Sequence, residues 1–201
     1  FAHNSSPNLL LSGVKKLLSK NGFIVIENAY VLNTIENNEF DQIYHEHMFY
    51  FSISSMKEAF ENNGLLLHDV FLSLVHGGSI VFIASHKELN LKPSKNLQFH
   101  LDHEAKYLTS NAIEIFKKKT FQIKDKLLNL VVELNKKGKI IYTYGATAKG
   151  NTLLNFVGLT NKEINYCIDS TDIKEGKYLP GSNIEIKNEE FARNHPPDYF
   201  L

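Results

Sequence analysis

Leu65-Leu66-Leu67-His68-Asp69-Val70-Phe71-Leu72-Ser73-Leu74 is answered, across Val75-His76-Gly77-Gly78, by Ser79-Ile80-Val81-Phe82-Ile83-Ala84-Ser85. Two β-rich runs either side of His76-Gly77-Gly78 predict an antiparallel hairpin. Upstream, Ser55 and Glu58 fit a capping box that opens a helix running through Phe60, and Asn63-Gly64 closes it. Before that helix, Phe23-Ile24-Val25-Ile26-Glu27 is short and uniformly apolar, which predicts a strand buried in a parallel position of a sheet. Leu9, Leu10, Leu11, Val14, Leu17 and Leu18 recur at helical spacing, with Asn21-Gly22 as the αL-tolerant stop. The order is helix, buried strand, helix, hairpin.

Downstream, residues 96–137 turn polar and helical, with Leu101, Leu108, Ile115, Ile123, Leu127, Leu130, Val131 and Leu134 as the apolar face of one long helix or two. Beyond Gly138 the pattern restarts as a strand over Lys139 to Tyr144, a Gly145-Ala146-Thr147 turn, a helix through Phe156, a strand over Ile164 to Ile168, and Asp169. That is a βαβ unit opening a second α/β domain. The expected division is therefore an α/β domain over 1–90, a helical connector over 91–137 and an α/β domain over 138–201. Phe1-Ala2-His3 reads as the tail of a strand and Pro197 to Leu201 as a strand beginning, so the chain is expected to be a piece of something longer.

Composition narrows the function. The 201 residues are 43% hydrophobic and 22% charged, the range of a folded chain of one or two domains. Acidic and basic residues balance at 22 each, so no net field favours nucleic acid or an anionic membrane. No apolar run approaches the ~20 residues of a membrane span, and Phe1 opens no signal peptide, which makes a cytoplasmic address the default expectation. A single cysteine, Cys167 in an apolar strand, excludes an internal disulfide and a cysteine-rich zinc cluster.

Tyr44-His45-Glu46-His47 places four proton-handling side chains in succession, just past a strand, where α/β proteins build ligand sites. If this stretch is extended, Tyr44 and Glu46 share one face, His45 and His47 the other. Three readings stay open on the residues alone. His-x-His can hold a metal, with His3, His68 or His76 as a third ligand, although no full ligand set shows. The cluster can be merely hydrogen-bonded or solvated. Or it can do acid–base chemistry, since imidazole exchanges protons near neutral pH while Tyr and Glu hold a substrate oxygen.

Several strings, in order and spacing, resemble the sugar-nucleotide C-methyltransferases: Phe1-Ala2-His3, Glu39 to His47, Tyr50-Phe51-Ser52, His76-Gly77-Gly78-Ser79, Gly145-Ala146-Thr147-Ala148-Lys149-Gly150-Asn151-Thr152-Leu153-Leu154, and Lys174 to Gly181. The resemblance implies the second half of a class I methyltransferase Rossmann-like sheet with a terminal antiparallel hairpin, a helical connector, and a second Rossmann-like α/β domain. It implies methyl transfer from S-adenosylmethionine to a ring carbon, commonly C3 of a 4-keto-hexose on a nucleoside diphosphate, through an enolate. His47 resembles the general base, Tyr44 and Glu46 the residues that hold the sugar, and His3 a second active-site histidine. His76, Gly77, Gly78 and Ser79 form a substrate-binding hairpin tip under the same resemblance. Where the family usually carries Arg two residues after that Ser, this chain has Val81.

In the second half, Gly145, Ala146 and Gly150 flank the start of a helix after a strand, where backbone N–H groups, the helix dipole and Lys149 suit a diphosphate. Asp169 ends the next strand, where a dinucleotide-binding unit places its ribose-holding acid. The full Gly-x-Gly-x-x-Gly pattern is absent, so packing glycines explain the turn equally well. The resemblance implies a sugar nucleotide near Lys149 and Asn151, with Tyr178 lining the cleft; Lys174 and Lys177 read as a solvated loop. The donor-binding half, and a zinc-binding cysteine-rich domain, are expected upstream of Phe1. Two other classes compete: a nucleotide-sugar binding module without catalysis, and an NAD(P)-dependent oxidoreductase using the βαβ unit, which accounts for Asp169 but not for Tyr44 to His47.

Overall fold

The hairpin forms as its sequence predicts. In the computed structural model, which describes residues 1, 3–75 and 78–201, strand β2 (Leu65–Ser73) pairs antiparallel with β3 (Ser79–His86). Strand β1 (Phe23–Ala29) pairs antiparallel with the other side of β3, giving the order β1-β3-β2. The parallel position expected for Phe23 to Glu27 is therefore corrected. β1 and β2 run the same way but are separated by β3, and the second edge of β1 has no partner among the described residues.

Helices cover one face of this sheet. Leu11 of α1 (Pro7–Leu17) and Ile53, Met56 and Phe60 of α3 (Ile53–Asn62) pack with Ile24, Leu65, Leu67, Val70, Ile80 and Phe82 in one buried cluster. Burying such side chains is the main stabilising term, about 1.5–3 kcal/mol each. The opposite face leaves Phe23, Val25 and Phe71 exposed, so β1 is buried on one side only. Chain direction and sidedness are tertiary properties that a short apolar run does not encode.

Two helix boundaries move. Helix α1 stops at Leu17, where Leu18 turns extended; Asn21-Gly22 forms a separate turn rather than the αL stop. The capping box of α3 is Ser52 with Ser55, not Ser55 with Glu58: Ser52 Oγ accepts from the Ser55 N–H at 3.0 Å, and Ser55 Oγ accepts from the Ser52 N–H at 2.9 Å. Asn63-Gly64 does close α3, with Gly64 at φ 69°.

The bulge in β2 falls at His68, between the pairs Leu67–Ala84 and Asp69–Ile83. Asp69 there accepts from Ser94 Oγ at 2.5 Å and Asn96 Nδ2 at 3.1 Å, tying the start of α4 (Lys95–Tyr107) to the sheet. The polar stretch after it is two helices, α4 and α5 (Ser110–Lys136). The chain divides into two compact units, one of residues 1–40 with 45–117, the other of residues 41–44 with 118–201.

In the second unit β4 (Ile141–Tyr144), α6 (Ala148–Val157) and β5 (Tyr166–Ile168) make the expected βαβ, its strands parallel. With β6 (Ile186–Lys187) and β7 (Tyr199–Phe200) they form a four-stranded parallel sheet in the order β6-β5-β4-β7. Its core joins Val131 of α5 and Leu154 and Val157 of α6 to Ile141, Cys167 and Ile186. Short helix α7 (Glu189–Asn194) lays Phe191 against Tyr142 and Tyr166, on the other side. Among the described residues no helix is long and apolar enough to cross a membrane.

Candidate active site

At the end of β1 the backbone of Tyr30 bridges Phe51, and the Val31 N–H donates to the Phe51 carbonyl at 3.2 Å. Between those points the chain makes an excursion through α2 (Val31–Glu36) and a single 3-10 turn at Phe40–Gln42. Tyr44 to His47 lie on the way back. Tyr44 is a bend and His45-Glu46 a turn, so the stretch is not extended and the two-faced alternation expected for it does not hold.

The histidine the sequence singled out as base has company. The His47 ring stacks on His3, centroids 4.9 Å apart and planes at 29°, and meets Tyr50 edge-on at 6.3 Å. His3 itself lies in a turn rather than at a strand end. Phe1 and Phe49 pack on buried Phe51 at 5.1 and 5.9 Å, so an apolar floor of aromatic rings lies next to this pair in the chain. Such packing fixes ring orientation, which a base acting on a carbon-bound proton requires. His45 and Glu46 point to water and lie 4.0 Å apart. Tyr44 groups with the second unit, its N–H donating to the Gln42 carbonyl at 3.2 Å.

His68, offered by the sequence as a third metal ligand, is instead buried at the bulge, 2.7 Å from Ser85 Oγ and edge-on to Phe23. Burial lowers its pKa. Among the described residues no three His, Cys, Asp or Glu side chains converge to hold a metal ion. His76 and Gly77 of the hairpin tip, like Ala2, lie outside the described residues. Ser79 is buried and donates to Glu27 Oε1 at 2.5 Å, from β3 to β1. Gly78 sits at φ 134°, a backbone conformation that favours glycine, and a Cβ there would displace the Asn33 amide of α2, 2.4 Å away.

The second unit gathers its candidates around the β4–α6 turn. Gly145, at φ 91°, donates its N–H to the Ile168 carbonyl at 2.6 Å. The Ala146 N–H donates to Asp169 Oδ2 at 2.7 Å, and Thr147 caps α6 by accepting from the Gly150 N–H at 3.1 Å. Lys174 is not the solvated residue expected: its Nζ donates to Asp169 Oδ2 at 2.9 Å and to the Ala146 carbonyl at 3.0 Å. Burial works to raise the Asp169 pKa, but hydrogen bonds from Thr171, Lys174 and the Ala146 N–H outweigh it and hold the carboxyl well below the usual range. Lys149 is half-buried on the first turn of α6. Asn151 Oδ1 accepts from Asn155, whose amide also donates to the Pro180 carbonyl at 3.0 Å and so joins the loop after Tyr178 to α6. Tyr178 is exposed.

Tyr50, Glu27, Asn33 and Asn155 thus support candidate residues without having been singled out in the sequence. The ring contact of Tyr50 with His47 accompanies the turn at His45-Glu46, which spacing does not predict.

With this geometry in view, residues 74–201 match the family described as the C-methyltransferase C-terminal domain. The whole chain is 36% identical, over 203 aligned positions, to the C-methyltransferase NovU of Streptomyces niveus, and it spans 48% of that protein's length. That alignment also covers Tyr44 to His47 and the β1–β3 sheet, which lie largely ahead of the family match. The chain belongs to the C-methyltransferase family, and its residues 74–201 are that family's C-terminal domain.

Proposed function

We propose that these residues form the acceptor side of a methyltransferase that methylates a ring carbon of a nucleotide-linked 4-keto deoxysugar. The observation that carries the reading is the His3–His47 stack beside Tyr50, on the arm that leaves the end of β1. A carbon acid next to a ketone needs a placed base, and a general base contributes about 10²–10⁴-fold. His47 takes the proton from the carbon beside the ketone, and the electron pair moves into the enolate. Glu46 holds a sugar hydroxyl, and His3 keeps the His47 ring in plane. Of the hairpin tip, Gly78 and Ser79 are assigned to the sugar-binding side.

S-adenosylmethionine, the donor of this reaction class, supplies a sulfonium methyl to a nucleophilic carbon. The glycines described in the first unit, Gly13, Gly22, Gly64 and Gly78, lie within a helix, at a turn, at a helix end and at the hairpin tip. None opens a helix after a parallel strand, the arrangement such a donor needs. The donor does not fit the residues described, and it is assigned to other parts of the enzyme, as is any structural zinc, for which a lone buried Cys167 provides no ligand set.

Taken by itself, the second unit offers a phosphate-binding site at the start of α6, with Gly145, Ala146, Lys149, Gly150 and Asn151 at the turn and Tyr178 on the loop joined to that helix. The engagement of Asp169 by Ala146, Thr171 and Lys174 supports a role for it in shaping this turn, and removes support from a nicotinamide reading that needs the acid for a ribose.

The test is solvent exchange. In a full-length C-methyltransferase carrying these residues, His47→Ala should lower deuterium incorporation at the carbon beside the ketone by about 10²–10⁴-fold, with methylation falling in parallel and sugar-nucleotide affinity retained. Exchange at the wild-type rate would remove His47 from the base role.

A further inference from the structure

Glu104 lies in the last turn of α4, 3% exposed, yet no lysine or arginine pairs with it among the described residues. A carboxylate taken out of water without a cation is costly unless its lone pairs are filled. Here four neutral donors fill them. Oε2 accepts from Tyr30 Oη at 3.0 Å and from the Ile53 N–H at 2.5 Å; Oε1 accepts from the Ser54 N–H at 3.0 Å and Ser54 Oγ at 2.6 Å. Two of the donors are the first backbone amides of α3, where the helix dipole also favours negative charge.

The capping of α3 alone does not account for this. Ser52 already satisfies the Ser55 amide, and a helix start can be completed by water. What distinguishes Glu104 is where its donors stand. Tyr30 is the residue at which the excursion carrying Tyr44 to His47 leaves the end of β1, and Ile53-Ser54 directly follow its return at Phe51. One carboxylate therefore holds both ends of that excursion, next to the Tyr30–Phe51 bridge. Helix α4 is in turn anchored by Ser94 and Asn96 to Asp69 at the β2 bulge, so the clasp is referred to the sheet.

We infer that Glu104 is a positioning residue for the reaction: it sets the span of the arm and, through Phe51 and Tyr50, the seat of the His3–His47 pair. It touches neither substrate nor donor. The inference rests on the reading of His47 as the base, and two readouts separate the failure of one from the failure of the other.

In the full-length enzyme, Glu104→Gln keeps the volume but turns an amide donor toward donors. Folded Glu104→Gln enzyme should show kcat for exchange lowered at least tenfold with KM for the sugar nucleotide within threefold of wild type. The nuclear Overhauser contact between the His3 and His47 rings should fall at least twofold, while β2–β3 resonances stay in place. If either kcat or the ring contact is unchanged, the inference is overturned. Should Glu104→Gln fail to fold, Tyr30→Phe and Ser54→Ala each remove part of the clasp and are read the same way; wild-type behaviour in both overturns it. If wild-type enzyme shows no exchange with keto-sugar nucleotides, the base reading fails, and the ring contact alone decides the clasp.

Discussion

Asp169 shows how much of a side chain's engagement appears only in the fold. At the end of a strand before a polar loop it reads as a ligand-holding acid, but its oxygens are engaged by Ala146, Thr171 and Lys174. A carboxyl whose folded pKa lies below its unfolded value stabilises the fold above the unfolded value, and loses that contribution as pH falls toward the folded one. Asp169→Asn should therefore cost about 2 kcal/mol near neutral pH, the range for hydrogen bonds to a charged group. In urea melts the gap between wild type and variant should stay constant down to about pH 4, the ordinary carboxyl range, and narrow only below it. A gap that closes already between pH 7 and pH 5 would assign the stabilisation to another group. Tyr44 to His47 were legible as a cluster because ionisable groups are visible letter by letter. Glu104 was not, because an acid in a polar helical stretch looks solvated until Tyr30 and the start of α3 are folded against it.

Elements were legible where local chemistry decides them and obscure where a distant partner does. The β2–β3 hairpin, the Asn63-Gly64 stop and the β4–α6–β5 unit all follow from turn residues and periodicity within a few positions. Helix α3 starts three residues before the position Ser55 and Glu58 predict, because Ser52 and Ser55 satisfy each other reciprocally and leave Glu58 outside the box. The distinction is measurable. Ser52→Ala should destabilise the chain by about 1 kcal/mol, as loss of a helix N-cap does. Glu58→Ala should stay within about 0.5 kcal/mol, as an exposed substitution. Chemical denaturation of the two variants under one condition decides between the boxes; equal losses would contradict the Ser52 assignment. The antiparallel placement of β1 was beyond reach for a different reason: Phe23 to Glu27 are equally apolar in either direction, and the partner strand lies more than fifty residues away in sequence.

Over the whole molecule, the two hydrophobic clusters share no residue. One is built on the β1–β3 sheet with α1 and α3, the other on the parallel sheet with α6 and the later part of α5. The restart of pattern beyond Gly138 falls inside the second unit, which already begins at Lys118 and takes part of its core from α5, a helix expected to belong to a separate connector. The sidedness of the first sheet was not legible, since covering one face depends on helices elsewhere in the chain. Its consequence concerns how the 201-residue chain behaves in concentrated solution. β1 presents a row of N–H and C=O groups with no partner among the described residues, flanked by exposed Phe23 and Val25. Such an edge is a template on which another molecule can add a strand, and natural proteins guard against it with charge. The isolated chain should scatter light increasingly with concentration, and Val25→Lys should suppress that scattering while leaving the circular dichroism spectrum unchanged. Equal scattering from the variant would place the adhesive surface elsewhere, so β1 links the handling of this chain at the bench to the direction in which one short strand runs.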